Sequence, residues 1–229
     1  MIRLAFTIFT AFMAILVLSP IGVVAWPFRR DGAVGFGVAR LCAHIILRAA
    51  RVTTATEFMA PLPHTPVVFV SNHVNVLDIP ILFAALPRPF RIVYKSSLLY
   101  VPLMGLFLAA SRHIAIDRSR AFKARRSLAA AARRIRNGVS VALFPEGTRS
   151  GDAGMGAFKL GSFKLAIEAQ APVVPVTIVG LGAVMGRRYL KPGHVRVRIH
   201  QALAAESGPN AVEGLASRAE AIMRKEIES

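Results

Sequence analysis

Short strand-like runs alternate with helical patterns along the chain beyond residue 66. The runs are rich in Val, Ile and Phe, whereas the helical stretches repeat small or apolar residues at every third or fourth position. The predicted strands are 67–70, 91–94, 113–116, 139–144, 173–179 and 195–200, and the predicted helices are 79–85, 119–136, 158–169 and 211–227. Because helices usually supply the crossovers between parallel strands, this alternation predicts an α/β fold with a mostly parallel sheet flanked by helices.

The amino-terminal stretch of residues 4–26 contains no charged side chain and is long enough to cross the hydrocarbon core of a bilayer. Pro20 and Gly22 interrupt the stretch, so a re-entrant or interfacial helix is an equal alternative to a spanning one. A cleaved signal peptide fits less well, because Arg3 is the only charge before an unusually long apolar run. Arg29 and Arg30 follow, and the positive-inside rule assigns them to the cytoplasmic face of an inner (cytoplasmic) membrane.

A second amphipathic pattern follows this stretch. Its basic stripe comprises Arg40, His44, Arg48 and Arg51, and its apolar stripe comprises Val38, Leu41, Ile45 and Val52. A helix with this pattern can lie in the membrane interface or pack against the main domain, and both alternatives stay open. The proline-rich stretch 61–66 then predicts a boundary between membrane-associated helices in residues 1–60 and an α/β domain in residues 61–229.

The composition combines strong basicity with high hydrophobicity. The chain has 29 Lys+Arg against 12 Asp+Glu, a formal net charge of +17, and 54% hydrophobic residues. A nucleic-acid-binding protein can be this basic but is rarely this apolar, and aromatic and basic residues are not interleaved here. We therefore expect an anionic membrane as a partner and no nucleic acid. The single cysteine, Cys42, excludes an internal disulfide and a multi-cysteine metal site.

A histidine and a carboxylate follow the strand-like run 67–70 directly. Imidazole has the side-chain pKa nearest neutrality, and a carboxylate can hold its tautomer and stabilise the imidazolium. His73 and Asp78 are five positions apart, so they do not share a face of one helix. They can meet if His73 lies in the turn after the strand and Asp78 in the first turn of the next helix. This arrangement predicts a general-base dyad at the carboxyl end of a strand, acting on a substrate hydroxyl without a serine or cysteine nucleophile.

Two further segments deliver polar groups to strand ends. The predicted strand 139–144 runs into Pro145-Glu146-Gly147-Thr148-Arg149, where the glycine permits a tight turn or close substrate approach and the arginine offers a planar fork for phosphate. Glu146 could orient that arginine or bond a substrate hydroxyl, although such a string is more commonly a polar turn. Arg118 follows the predicted strand 113–116, which points it toward the same presumed cleft.

These segments together resemble the glycerolipid acyltransferase family, most closely the bacterial 1-acylglycerol-3-phosphate acyltransferases. His73 and Asp78 are similar to the family's His-x4-Asp motif. Residues 94–105 followed by 114–118 are similar to its second block, and residues 144–150 and 171–176 to its third and fourth blocks. The likeness covers residues 67–180 in the family's order. The chain departs from the family at Arg112 and Ala115, where a glycine and a phenylalanine are frequent.

The resemblance implies a membrane-bound enzyme of phospholipid synthesis. It would transfer an acyl group from acyl-coenzyme A or acyl carrier protein to the sn-2 hydroxyl of 1-acylglycerol-3-phosphate, giving phosphatidic acid, with its active site at the cytoplasmic face. His73 and Asp78 would be catalytic, no metal would be needed, and the thioester would be a co-substrate rather than a cofactor. The expected substrate-binding residues are Lys95, Arg118, Glu146, Gly147, Thr148 and Arg149.

Two alternatives to this function stay open. Within the same chemistry, the acceptor could be another lysolipid, such as lyso-ornithine lipid. From another class, the chain could be a non-catalytic protein that binds anionic lipid through its basic surface, with His73 as a structural histidine.

Overall fold

The computed structural model describes residues 1–25, 33–101, 105, 108–109, 111–117, 119–151, 154–186 and 188–228. The strands are β1 (Val52–Phe58), β2 (Val68–Ser71), β3 (Phe90–Lys95), β4 (Ile114–Ile116), β5 (Ser140–Leu143), β6 (Val173–Val179) and β7 (Gly193–Ile199). The helices are α1 (Ile2–Ala25), α2 (Ala33–Ala50), α3 (Asp78–Ala85), α4 (Ala121–Arg136), α5 (Gly161–Ala169), α6 (Leu181–Val184) and α7 (Ala211–Glu228). A 3-10 turn, Ser96–Tyr100, follows β3.

All seven strands form one sheet in the order β1-β7-β6-β2-β5-β3-β4. Neighbouring strands are parallel except for β6 and β7, which are antiparallel. The predicted α/β fold with a mostly parallel sheet is therefore confirmed. Each predicted strand and helix has a counterpart, with boundaries that differ by a few residues.

The edge strand β1 was not among the predicted strands. Its sequence alternates threonines with Ala55 and Glu57, and only Val52 within it is buried, so it lacks the apolar run that marks a central strand. It pairs in parallel with β7, from Val52 opposite Gly193 to Phe58 opposite Ile199. The sheet thus begins within the segment that we assigned to membrane-associated helices. The domain boundary after residue 60 stays a prediction.

The two faces of the sheet pack against different helices. Along β2, Phe69 belongs to a first core with α2 and α3, whereas Val68 and Val70 belong to a second core with α4, α5 and α7. Every residue of β2 is buried, as expected for a central strand covered on both faces. The result is a three-layer arrangement in which α2 and α4 lie on opposite faces of the sheet.

Helix α2 packs into the first core and carries α1 on its other side. Phe36, Ala43 and Leu47 of α2 are buried in that core, whereas Leu41 is 51% exposed. Packing against the main domain, one of the two alternatives for this helix, is therefore present. Helix α1 contacts α2 around Ala14, which clusters with Cys42 and other apolar residues.

Helices α1 and α2 are long and apolar enough to cross a membrane, judged by length and composition alone. In α1 the apolar segment Ile2–Gly22 has a mean hydropathy of 2.3, and only 17% of its most apolar 18-residue stretch is buried. In α2 the mean hydropathy is 1.5 and 44% of the residues are buried. A helix that packs against a core would have similar values. The exposed side chains of α1 include Phe6, Phe9 and Phe12.

Candidate active site

The candidate site lies at the carboxyl edge of the parallel part of the sheet. Strands β2 and β5 are direct neighbours, with Val70 opposite Leu143, so the segments that follow them emerge side by side. The imidazole of His73 stacks on the phenyl ring of Phe144, with ring centroids 3.9 Å apart and an interplanar angle of 13°. This stacking fixes the plane of the imidazole. Open α/β sheets place ligand sites at this edge.

His73 and Asp78 are in direct contact. His73 lies in the turn after β2 and Asp78 is the first residue of α3, and the Nδ1 and Oδ2 atoms are 2.7 Å apart. The predicted meeting of the two side chains is therefore confirmed. A carboxylate partner holds the proton on Nδ1, which leaves the lone pair of Nε2 to accept a proton from elsewhere. The backbone N–H of Asn75 also donates to Asp78 Oδ2, at 2.9 Å.

Asp78 is placed to stabilise the positive charge that forms on the imidazole when His73 accepts the proton of a substrate. The side chain of Asp78 is completely buried, and its Oδ1 has no hydrogen-bond partner within the described part of the chain. Burial raises the pKa of this carboxyl, and the hydrogen bond from His73 opposes that rise. A buried carboxylate with an unsatisfied oxygen is stabilised when a cation forms beside it. Protonation of His73 at Nε2 would supply that cation.

The carboxylate of Glu146 holds the backbone of His73. Its Oε1 accepts the N–H of His73 at 2.7 Å, and its Oε2 accepts the N–H of Gly156 at 2.8 Å. Each oxygen of Glu146 thus accepts one backbone N–H group, and the residue is only 4% exposed. The expected contact of Glu146 with Arg149 or a substrate hydroxyl stays a prediction. Burial raises the pKa of the Glu146 carboxyl, and these two hydrogen bonds oppose the rise.

The loop after β5 also holds the carbonyl side of His73. The backbone N–H of Ser150 donates to the carbonyl oxygen of His73 at 2.8 Å, and the hydroxyl of Ser150 donates to the same oxygen at 3.1 Å. The backbone N–H of Gly151 donates to the carbonyl oxygen of Val74. Both peptide groups that flank the imidazole are thus bonded to residues 146–151. The segment that carries Arg149 and the segment that carries the base therefore form one hydrogen-bonded unit.

Two asparagines that we did not single out complete the scaffold. The amide of Asn72 donates to Ile178 O at 2.9 Å and accepts from Ile178 N–H at 2.8 Å, which ties the end of β2 to β6. The Oδ1 atom of Asn75 accepts the N–H of Leu77, and its amide donates to Met185 O. Asparagine commonly bonds the backbone two residues on, so Asn75 before Leu77 carried a recognisable turn signal.

A cleft of about 480 Å³ opens beside His73. Apolar side chains form much of its wall, namely Ile79, Ile92, Leu98, Ile116, Leu128, Leu143 and Leu165. Three cationic residues from separate segments also line it, namely Lys95, Arg149 and Lys159. The cleft can therefore accept a ligand that joins an apolar part to an anionic part.

The remaining predicted site residues differ in position. Gly147 lines the cleft and has a φ of 75°, a left-handed conformation that favours glycine. Thr148 is exposed and is not among the described residues that line the cleft. Arg118 lies outside the described residues. Within the described ranges, no group of three or more His, Cys, Asp or Glu side chains is arranged to hold a metal ion.

Comparison with known proteins identifies the family. A family model described as Acyltransferase matches residues 51–179, more than half of the chain. This chain belongs to the acyltransferase family. The matched range contains every described residue of the dyad, the Glu146 loop and the cleft, so the predicted family resemblance is confirmed.

Several curated relatives share this region. One is a 1-acyl-sn-glycerol-3-phosphate acyltransferase of Chlamydomonas reinhardtii, 38% identical over 156 residues, or 67% of this chain and 47% of the relative. A protein of the same name from Salmonella typhimurium is 31% identical over 70% of this chain and 66% of the relative. Another from Pseudomonas aeruginosa is 37% identical over 70% of this chain and 63% of the relative. The acyltransferase thus spans about half the length of the algal relative.

A solved structure shares the whole fold. The crystal structure of the 1-acyl-sn-glycerophosphate (LPA) acyltransferase PlsC from Thermotoga maritima superposes with a TM-score of 0.80. The superposition covers 99% of this chain and 95% of that one, at 23% sequence identity. At that identity the likeness concerns the fold, including the apolar helices that precede the sheet.

Proposed function

We propose that this acyltransferase transfers an acyl group from a thioester of coenzyme A or acyl carrier protein to the sn-2 hydroxyl of 1-acylglycerol-3-phosphate, which yields phosphatidic acid. The observation that carries the proposal is the contact of 2.7 Å between His73 and Asp78 beside a cleft that combines apolar walls with Lys95, Arg149 and Lys159. The names of the curated relatives agree with this substrate.

The dyad supports direct transfer without an acyl-enzyme. Nε2 of His73 accepts the proton of the sn-2 hydroxyl as the hydroxyl oxygen attacks the thioester carbonyl carbon. The tetrahedral intermediate then collapses, the carbon–sulfur bond breaks, and the imidazolium returns the proton to the departing thiolate. Asp78 stabilises the imidazolium between these two proton transfers. General-base help of this kind contributes about 10²- to 10⁴-fold, and positioning of the two substrates supplies much of the rest.

The cations of the cleft suit the phosphate of the acceptor. Within the described residues, the side chains of Lys95, Arg149 and Lys159 make no hydrogen bond or ion pair of their own. Charge-assisted bonds to a dianionic phosphate would satisfy all three, whereas a zwitterionic head group would leave part of that charge unmatched. Thr148 and Arg118 remain expected contacts of the phosphate or glycerol, and the apolar wall suits an acyl chain.

Helix α1 suits a membrane anchor. It presents Phe6, Phe9 and Phe12 to solvent, and the chain carries a net charge of +17, which favours an anionic bilayer. We assign the protein to the inner (cytoplasmic) membrane with the cleft at the cytoplasmic face, because the acyl thioesters are cytosolic and the lysolipid is rooted in the bilayer.

The proposed function is tested by an acyl-transfer assay with the full chain in detergent micelles. The acceptors are 1-acylglycerol-3-phosphate, a lysophospholipid with a larger head group and lyso-ornithine lipid, each with palmitoyl-coenzyme A and with a palmitoylated bacterial acyl carrier protein. We expect 1-acylglycerol-3-phosphate to be acylated in preference to the other acceptors. Preference for lyso-ornithine lipid would reassign the acceptor, and lipid binding without transfer to any acceptor would support the non-catalytic alternative.

A further inference from the structure

The outer surface of helix α4 is strongly basic and only partly neutralised. No Asp or Glu occurs between residues 118 and 145, whereas Lys or Arg occupies seven positions from 120 to 136. Lys123 pairs with Asp117 at 3.5 Å, and Arg134 and Arg136 donate to backbone carbonyls. The other four are Arg120, Arg125, Arg126 and Arg133, which are exposed and make no hydrogen bond or ion pair within the part of the chain that the structure describes.

An exposed aromatic side chain lies among these arginines. Phe122, in the first turn of α4, is 71% exposed. We call Arg120, Phe122, Arg125, Arg126 and Arg133 the basic face. Aromatic residues and arginines are among the residue types most enriched in protein–protein interfaces. A groove of about 310 Å³ between α4 and β4, lined in part by Arg126, adjoins this surface.

The basic face lies on the side of the sheet opposite α1 and α2. Ala131, Ala132 and Ile135 of α4 pack into the second core, whereas α2 packs into the first core and carries α1 outside it. The basic face is therefore on the other side of the sheet from the proposed anchoring helix α1. A soluble partner can contact it without displacing α1 or α2.

Helix α4 also connects the basic face to the site. Ala124 and Leu128 line the cleft from the inner side of the same helix. The helix begins just after β4, so Phe122 and Arg125 lie near the carboxyl edge of the sheet that carries His73. A protein bound to the basic face would therefore sit one helix away from the cleft.

We infer that the basic face docks an acidic carrier protein that delivers the acyl group as a thioester. This inference rests on the proposed function and specifies the source of its acyl donor. An acidic carrier complements the unpaired arginines, and such complementarity raises the association rate and makes it salt-dependent. Coenzyme A is a small molecule that brings its thioester to the cleft without docking a folded protein, so we expect transfer from coenzyme A to depend far less on the basic face.

Charge reversal on α4 tests the inference. The variant Arg125→Glu/Arg126→Glu is compared with Arg218→Glu/Lys225→Glu, which makes the same change of net charge on exposed positions of α7. Values of kcat/KM are measured with a palmitoylated bacterial acyl carrier protein and with palmitoyl-coenzyme A, at low and high salt. With the carrier protein at low salt, we expect the kcat/KM of the α4 variant to fall by about 10- to 100-fold. At high salt its kcat/KM should approach that of the unmodified protein. Its kcat/KM with palmitoyl-coenzyme A should be retained. The α7 variant should keep the kcat/KM of the unmodified protein with both donors.

Other outcomes would overturn the inference. Undiminished transfer from the carrier protein by the α4 variant, or equal losses with both donors, would mean that the basic face does not dock a carrier. Transfer by the unmodified protein from coenzyme A alone would also refute docking but leave the proposed function intact. If the α4 variant instead lost binding to vesicles containing phosphatidylglycerol, the basic face would be a membrane surface. Failure of both donors with the unmodified protein would refute the proposed function itself.

Phe122→Ala provides a second test that leaves the charge unchanged. Phe122 is largely exposed, so its removal leaves no cavity in the fold. We expect a lower kcat/KM with the carrier protein only. A loss that appears with coenzyme A as well would contradict an interface role for this side chain.

Discussion

Replacement of Glu146 by glutamine should slow the chemical step without weakening acceptor binding. The Glu146 carboxylate accepts the backbone N–H groups of His73 and Gly156 at 2.7 and 2.8 Å. A glutamine keeps one oxygen acceptor but turns an amide NH2 toward the other backbone donor. One of the two charge-assisted bonds is thereby lost, and the segment that carries the catalytic base is held less firmly.

The size of the effect follows from these bonds. A hydrogen bond to a charged group contributes about 1.5–3 kcal/mol, so Glu146→Gln should lower the free energy of unfolding by about that amount. A misplacement of a catalytic group by about 1 Å costs about 10²-fold, so kcat should fall by about 10- to 100-fold. The KM for 1-acylglycerol-3-phosphate should change little, because the cations that line the cleft are retained.

The assay combines steady-state kinetics with urea unfolding in detergent micelles. Glu220→Gln on α7 is the control, since it removes a carboxylate that pairs with Arg224 at the surface. Such a surface pair contributes at most about 1 kcal/mol, and its loss should leave kcat unchanged. An unchanged kcat with a raised KM in Glu146→Gln would refute the role of Glu146 in positioning His73. That result would indicate instead that Glu146 contacts the substrate directly.

Other predictions concern acceptor binding, acid stability and the membrane. Arg149→Ala should raise the KM for 1-acylglycerol-3-phosphate and leave acceptors without phosphate nearly unaffected; equal losses with all acceptors would indicate a structural role. Burial lowers the pKa of His113 from 6.5 to about 3 in the folded protein. As the pH falls, the unfolded chain therefore binds this proton at a higher pH than the folded protein does. Acidification from about pH 7 to 5 should lower the free energy of unfolding by about 2 kcal/mol. That loss should vanish in His113→Asn. Phe6→Ser/Phe9→Ser/Phe12→Ser should release protein from sedimented membranes, and undiminished sedimentation would exclude α1 as the anchor.

The sequence predicted the elements whose signals are local. The apolar run before His73 indicated β2, and the spacing to Asp78 fitted a turn followed by a helix, so the dyad could be anticipated. Strand β1 could not be predicted in this way, because an edge strand buries few of its residues and therefore lacks an apolar run. The partners of Glu146 were also beyond reach, since Gly156 returns to the carboxylate only through the tertiary fold. Likewise, an amphipathic pattern alone cannot tell a membrane interface from the core that α2 joins.

The most direct test of the proposed chemistry measures transfer by His73→Ala. Only the proton acceptor is removed, so the variant should stay folded and bind membranes while kcat for 1-acylglycerol-3-phosphate falls by about 10²- to 10⁴-fold with either donor. Asp78→Asn should also be severely slowed, because the carboxylate charge opposite Nδ1 is lost at the contact of 2.7 Å. A folded His73→Ala protein that transfers acyl groups at the rate of the unmodified enzyme would contradict the assignment of His73 as the base.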